Sequence, residues 1–335
     1  MDSKAGHASP LLTIAIPTYN RAQYLERLLT VLANQILSES QIELIVSDNA
    51  SSDETPNVVD HFKLRGLPIY YLRNQSNLGP DRNILQCYEQ ASGKYVWILG
   101  DDDLVRPGGI AKVLSHLQAQ EYDLVYIASI AFTDATPPPA HVPDLGFEVF
   151  ERADLLARRV NVFFTFISGN IVNKERILSV SHRPFSELVG THLTQLGWVY
   201  AAVDHHRRSL VIRDPLVAAL TDNTGGYRLF EVFGPSLKRI TDERIQSARV
   251  RRAVLNGALQ RFFPPFLITQ KAADGKFVRE NPHHILAPVF GKNFRYWFFD
   301  FPITWMPTIL ARCWLLMVRI INRLDTMLGN PLLGL

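Results

Sequence analysis

Tyr95-Val96-Trp97-Ile98-Leu99-Gly100-Asp101-Asp102-Asp103 is the stretch on which the fold turns. Five apolar residues ahead of a glycine read as a buried strand of a parallel sheet, apolar on both faces. The run ends in three adjacent carboxylates. Like charges gathered at a strand's C-terminal edge repel one another and cost stability unless a cation sits among them. In an open α/β sheet that same edge is where ligands bind. The stretch therefore reads as a divalent-metal and phosphate site. It also reads as a helix N-cap with solvated acids, because Leu104-Val105-Arg106-Pro107 leads toward a helix whose N-terminus favours negative charge.

Working outward, residues 11–16 form an apolar run halted by Pro17, with a turn at Thr18-Tyr19-Asn20. Tyr24, Leu25, Leu28, Leu29 and Leu32 then recur at helical spacing. Residues 42–47 read as a second strand ending at Asp48, with Ser52 as a cap for the helix after it. Residues 69–72 and 124–127 are further short strands, and 81–91 a helix. Strand and helix alternate with short loops, which predicts a doubly wound, mostly parallel α/β sheet with right-handed crossovers. The first, second and fourth strands then deliver Pro17–Asn20, Asp48 and the triple aspartate to one rim. No glycine-rich phosphate loop appears, so a bound nucleotide would need a cation, and magnesium or manganese suits an all-oxygen site.

The bulk numbers narrow the class. With 335 residues the chain can bury a large core. A net charge of +3 is too small to argue for nucleic acid. Cys87 and Cys313 make neither a disulfide framework nor a zinc spacing, which suits a reducing compartment. No apolar leader is visible at the start, so the expectation is a cytoplasmic protein.

Four ordered pieces carry a resemblance: Ile14-Ala15-Ile16-Pro17-Thr18-Tyr19-Asn20-Arg21, Val46-Ser47-Asp48-Asn49-Ala50-Ser51-Ser52-Asp53, Asn77-Leu78-Gly79 with Arg82-Asn83, and Gly100-Asp101-Asp102-Asp103. Together they resemble glycosyltransferase family 2, the nucleotide-sugar-dependent transferases of the A-type, Rossmann-like fold, and among them the bacterial deoxysugar transferases of O-antigen assembly. The resemblance implies an inverting enzyme that moves a sugar from a nucleotide-diphosphate donor to a saccharide acceptor, with a lipid-linked one expected. It implies that Asp48 contacts the nucleotide base, that Pro17 and Tyr19 line that pocket, and that Arg82 approaches the base or diphosphate. Asp102 would bind the metal, with Asp101 next to it or facing the ribose, and Asp103 would act on the acceptor side. Such chemistry needs the leaving diphosphate's charge neutralised and a base for the acceptor hydroxyl.

The base is where the chain departs from the family. The resemblance implies an acidic pair at the start of an acceptor helix, but the segment here is Phe185-Ser186-Glu187-Leu188-Val189-Gly190-Thr191-His192. His192 stands closest to the expected position and Glu187 is the nearest acid, so both are candidates. Before them, residues 163–172 read as an apolar strand interrupted at Ser168-Gly169-Asn170, and residues 192–203 as a helix. The proline-rich stretch 133–144 reads as an exposed loop, and 221–227 as a lid or acceptor loop.

Residues 1–228 are thus expected to be the transferase domain, and 229–335 a helical extension. In that extension, aromatics crowd from Phe290 onward, and Arg312, Arg319 and Arg323 share one helix face. Aromatics and leucines with an arginine stripe predict a membrane-interface segment over 290–325, holding the protein on the inner face of the plasma membrane. Two other readings stay open. A haloacid dehalogenase-type phosphatase also uses a strand-end Asp-X-Asp-X-Val, and a non-catalytic membrane-bound scaffold would account for the missing acidic pair.

Overall fold

The computed structural model describes residues 9–37, 39–221, 226–271 and 278–327. Its strands are β1 (Leu12–Thr18), β2 (Ile42–Asp48), β3 (Ile69–Arg73), β4 (Tyr95–Ile98), β5 (Leu104–Val105), β6 (Leu124–Phe132), β7 (Phe147–Phe150), β8 (Asn170–Asn173) and β9 (Ser209–Leu220). They make one sheet in the order β3-β2-β1-β4-β8-β6-β9-β5, with β7 against β9. The half that carries the acids, β3-β2-β1-β4, is wholly parallel, as is β6 with β9; the other pairings are antiparallel. Helices α1 (Ala22–Ile36), α2 (Thr55–Leu64), α3 (Pro80–Gln90) and α4 (Gly109–Ala119) supply the crossovers expected of a doubly wound α/β sheet.

The core explains the periodicity. In α1, Leu25, Leu28, Leu29, Leu32 and Ile36 are buried as one face against β1 and β2, whose Ile14, Ile16, Leu44 and Val46 are fully buried. Trp97 of β4 has no exposed surface and donates its indole N–H to the Ser168 carbonyl at 2.8 Å. Asp53, not Ser52, serves the start of α2, because its Oδ1 accepts from the Thr55 N–H at 3.1 Å and hydroxyl at 2.6 Å. Ser52 turns instead to Asn20.

Two expected elements differ. Residues 161–165 and 167–169 form 3₁₀ turns, and only Asn170–Asn173 extends as a strand. The helix expected from 192 begins at Leu196 and runs to Asp204 (α7, after α5 at Ala153–Val160 and α6 at Lys174–Val180). The proline-rich stretch is tied down: Arg106, 3% exposed, donates to the carbonyls of Pro139 at 2.5 Å, His141 at 2.6 Å and Pro215 at 3.1 Å.

The described residues divide into two compact units, one drawn from Met1–Glu151 and Phe164–Asp222, the other from Arg152–Phe163 and Asn223–Leu335. The second unit is helical, and α5 belongs to it. Gly257 is a glycine there because a side chain would start 2.5 Å from the Asn161 Cβ. Tyr296, Phe299 and Ile303 fill its core. Part of the aromatic crowd after Phe290 thus builds that core, and Thr308–Met327 follows as one helix with Ala311, Leu315 and Val318 buried. Among the described residues no helix is long and apolar enough to cross a membrane.

Candidate active site

Parallel register brings the acids together. Thr18, the last residue of β1, is the partner of Asp48 at the end of β2, and its hydroxyl donates to Asp101 Oδ2 at 2.7 Å. One threonine therefore links the acid after β2 to the acid after β4. Arg21, at the start of α1, forks across two of the aspartates: Nη1 to Asp101 Oδ1 at 2.7 Å and Nη2 to Asp102 Oδ2 at 3.1 Å. The convergence read from the strand order is a physical cluster on one rim.

The three aspartates are not equivalent. Asp101 is buried beneath the rim with both oxygens engaged, by Thr18 and Arg21. Asp103 points inward, accepting from the Leu220 N–H at 3.2 Å. Asp102 alone keeps a solvent-reaching carboxylate, with 18% of its side chain exposed. Burial pushes the carboxyls of Asp101 and Asp103 up to about 7; Arg21 opposes this at Asp101, and the Asp102 charge adds to it at both. An acid whose folded pKa is raised costs stability once pH passes its unfolded value near 4, and the cost is complete above about 7. Gly100 gives the loop its room. A Cβ there would lie 3.0 Å from Asp102 Oδ1 and 3.3 Å from Asp103 Oδ2, while the Gly100 N–H donates to Ser168 Oγ at 2.9 Å.

Asp48 has no exposed surface. Its Oδ1 accepts from the Ser51 N–H at 2.8 Å, and its Oδ2 from the Tyr71 hydroxyl at 2.6 Å, with Arg73 Nε at 3.5 Å. Burial and this carboxylate push the Tyr71 phenol pKa upward. Pro17 is half-buried at the strand end, and Tyr19 is 41% exposed at the rim. Arg82 extends along its own helix to Glu89, 3.6 Å away. Asn49 and Asn83 clamp what surrounds them: Asn49 Oδ1 accepts from the Leu78 N–H at 2.9 Å, and Asn83 bonds both the hydroxyl and the carbonyl of Ser47.

The expected base region is held from a residue to which the sequence reading gave no role. Asp81, in the first turn of α3 and 5% exposed, accepts at Oδ2 from the Gly190 N–H at 2.7 Å and the His192 N–H at 2.8 Å. His192 is exposed and adopts a left-handed backbone, φ +60°, which a histidine tolerates only where its surroundings fix it. Glu187 is exposed in the 3₁₀ turn Phe185–Leu188. The candidate lid falls largely on 222–225, outside the described residues.

Among the described residues no group of three His, Cys, Asp or Glu side chains is arranged to hold a metal by itself. The donor set fits a cation shared with a substrate, since magnesium commonly takes one or two carboxylates and completes its shell with phosphate oxygens and water. Of the three aspartates, Asp102 is the one whose carboxylate reaches solvent.

The sequence pattern of glycosyl transferase family 2 matches residues 13–178, which contain this rim. The chain carries a glycosyl transferase family 2 domain. It is 43% identical over 180 residues to abequosyltransferase RfbV of Salmonella typhimurium, covering 50% of this chain and 54% of that protein. It is 36% identical over 106 residues to GalNAc(5)-diNAcBac-PP-undecaprenol beta-1,3-glucosyltransferase of Campylobacter jejuni, covering 31% of this chain and 34% of that one. The chain thus aligns with about half or less of the length of these relatives. Staphylococcus aureus TarS 1–349, crystallised with UDP-GlcNAc, shares the fold with a TM-score of 0.59 at 16% identity, over 95% of this chain and 92% of that one. The phosphatase reading is not favoured, for the triple aspartate follows the fourth strand inside the matched family domain.

Proposed function

We propose that the chain transfers a sugar from a nucleotide-diphosphate donor to a saccharide acceptor, lipid-linked, in bacterial cell-surface polysaccharide synthesis. The observation that carries this reading is the rim itself, with Asp48, Thr18, Arg21 and Asp101–Asp103 brought onto neighbouring strand ends within a family 2 domain. The name of the Campylobacter jejuni relative, a PP-undecaprenol glucosyltransferase, supports the acceptor class.

In this reading Asp102 holds a magnesium or manganese ion, with Asp101 behind it. When bound, the ion offsets the charge that builds on the departing diphosphate. Arg21 fixes the geometry of Asp101 and Asp102 and keeps positive charge at the rim. Pro17 and Tyr19 border the base. Asp48, enclosed as it is, orders the base-side turn through Ser51 and Arg73, and Arg82 reaches the donor by leaving Glu89. His192 accepts the proton of the acceptor hydroxyl, with Glu187 as the alternative base, in an inverting displacement. The exposed face of Thr308–Met327 rests on the cytoplasmic face of the membrane. Release of nucleoside diphosphate across a panel of sugar nucleotides tests the reading. We expect metal-dependent release that falls by about a hundredfold or more in Asp102→Ala without loss of thermal stability. Full activity in that variant would overturn it.

A further inference from the structure

The helical unit carries an open cavity of about 480 Å³ that belongs to none of the chemistry above. Its size is within the range of about 300–1,000 Å³ typical of small-ligand sites. Lys238, Arg252, Asn256, Lys292, Asn293 and Arg295 supply its polar lining, and no lining residue is acidic. They come from three places: the helix Leu237–Arg244, the helix Ala248–Gly257, and the turn after the helix Pro282–Phe290. Convergence of four cations from separate elements is not the solvated charge run of a single helix face.

Two of these groups are buried. Arg295 is 4% exposed, and burial holds its pKa below the usual arginine range. Asp325 faces it and also pairs with Arg261 at 3.0 Å. Asn256 is 3% exposed. Its Oδ1 accepts from Asn293 Nδ2 at 2.8 Å, while its own Nδ2 has no acceptor. A buried amide donor without a partner destabilises the fold, so its persistence marks a place where an acceptor belongs. Lys238 is paired with Asp242 on its own helix, whereas no carboxylate lies within ion-pair distance of Arg252 or Lys292 among the described residues. The lining also includes Phe294, which is 55% exposed and stacks on Arg295 at 4.7 Å, and Trp297 and Phe298 close by are exposed too. Converging cations beside exposed aromatics suit a ligand with a phosphate head and an apolar tail.

We propose that this cavity binds the diphosphate group of a polyprenyl-type lipid, Arg252, Lys292 and Arg295 taking the phosphoryl oxygens and the Asn256 amide donating to one of them. The proposal rests on the lipid-linked acceptor reading and adds to it a site on this chain for the carrier. Guanidinium groups match phosphate oxygens in bidentate fashion, and such charge-assisted bonds are about twice as strong as neutral ones.

The test uses the whole chain with EDTA present and no sugar nucleotide, so that the acid rim plays no part. Flotation compares phosphatidylcholine vesicles doped with polyprenyl diphosphate against vesicles of equal charge made with phosphatidylglycerol, and soluble inorganic pyrophosphate serves as competitor. We expect a preference of about tenfold for the diphosphate lipid, reversed by pyrophosphate. We expect Arg252→Gln/Lys292→Gln to lose that preference while keeping its melting temperature and its binding to phosphatidylglycerol. Both positions are exposed, so the fold should survive the change. If the folded double variant keeps the preference, or the parent chain shows none, the proposal is overturned. Binding of pyrophosphate without any vesicle preference overturns the lipid assignment and leaves a free-anion cavity. None of these outcomes bears on nucleoside diphosphate release, so the transferase reading stands or falls separately.

Discussion

Asp81 holds with one oxygen two backbone N–H groups that lie 109 and 111 positions further along the chain. Hydrogen bonds to a charged acceptor contribute about 1.5–3 kcal/mol each, enough to keep His192 at a left-handed φ that would otherwise relax. Asp81→Ala is expected to lower kcat by about 10- to 100-fold while the KM for the donor changes less than about twofold, because only the acceptor-side loop is released. Asp81→Asn keeps an acceptor oxygen and should fall between. Steady-state kinetics with varied donor check this; a loss confined to KM would move Asp81 to the donor side. Asp81 lies between Asn77-Leu78-Gly79 and Arg82-Asn83, which carry the family resemblance. Nothing local in Pro80-Asp81 reveals a partner so distant. The acids of the rim were legible because each directly follows a strand, and strand ends announce themselves in the apolar runs. Which acid faces solvent was not legible, since the inward turn of Asp103 depends on the Leu220 N–H of a strand more than a hundred residues away.

The elements show the same division. The parallel half could be read because β1, β2 and β4 bury both faces. Residues 163–172 are equally apolar, yet most of them bend into 3₁₀ turns and only those from Asn170 onward extend. A side chain at Gly169 would start 2.9 Å from Phe166 and 3.1 Å from Tyr126, and Ser168 is needed where it is, for its Oγ and carbonyl anchor Gly100 and Trp97. Apolar content cannot distinguish a strand from a buried turn. A second element carries an unrelieved cost. Asp300 closes the widened helical turn Tyr296–Asp300 with no exposed surface, and neither of its oxygens has a hydrogen-bond partner. Burial raises its pKa well above the ordinary carboxylate range. The folded state therefore keeps this proton to higher pH than the unfolded chain does, and stability falls as pH rises above about 4. Asp300→Asn removes the ionisation. It is expected to be more stable than the parent by about 1–3 kcal/mol at pH 8, with the difference shrinking toward pH 4. Melting temperatures across that range check it, and an equal gap at every pH would point to packing instead.

At the scale of the whole molecule, the C-terminal aromatic and arginine pattern divides between a buried core and an exposed helix face, which the sequence alone did not separate. Tyr296, Phe299 and Ile303 are core, so cutting the chain after Phe290 would unfold the helical unit, not merely free it from a surface. The helix Thr308–Met327 turns Ala311, Leu315 and Val318 inward at spacings of four and three, and Gln260–Asn322 and Arg261–Asp325 fasten it to its own unit at 2.9 and 3.0 Å. Its opposite side leaves Ile309 78%, Leu316 59% and Ile320 53% exposed, with Arg312, Arg319 and Arg323 exposed among them. Exposed leucines and isoleucines interleaved with arginines suit a helix lying in the headgroup region of an anionic bilayer, each arginine contributing about 1 kcal/mol near such a surface. Ile309→Ser/Leu316→Ser/Ile320→Ser should leave the melting temperature unchanged, because those side chains touch solvent, yet lower co-sedimentation with phosphatidylglycerol vesicles by at least about tenfold. Arg312→Gln/Arg319→Gln should weaken binding as well, and should do so more at low salt than at high, because charge attraction is screened while apolar burial is not. Undiminished sedimentation of both variants would remove the membrane from the account and leave the rim, and the sugar chemistry proposed there, as it stands.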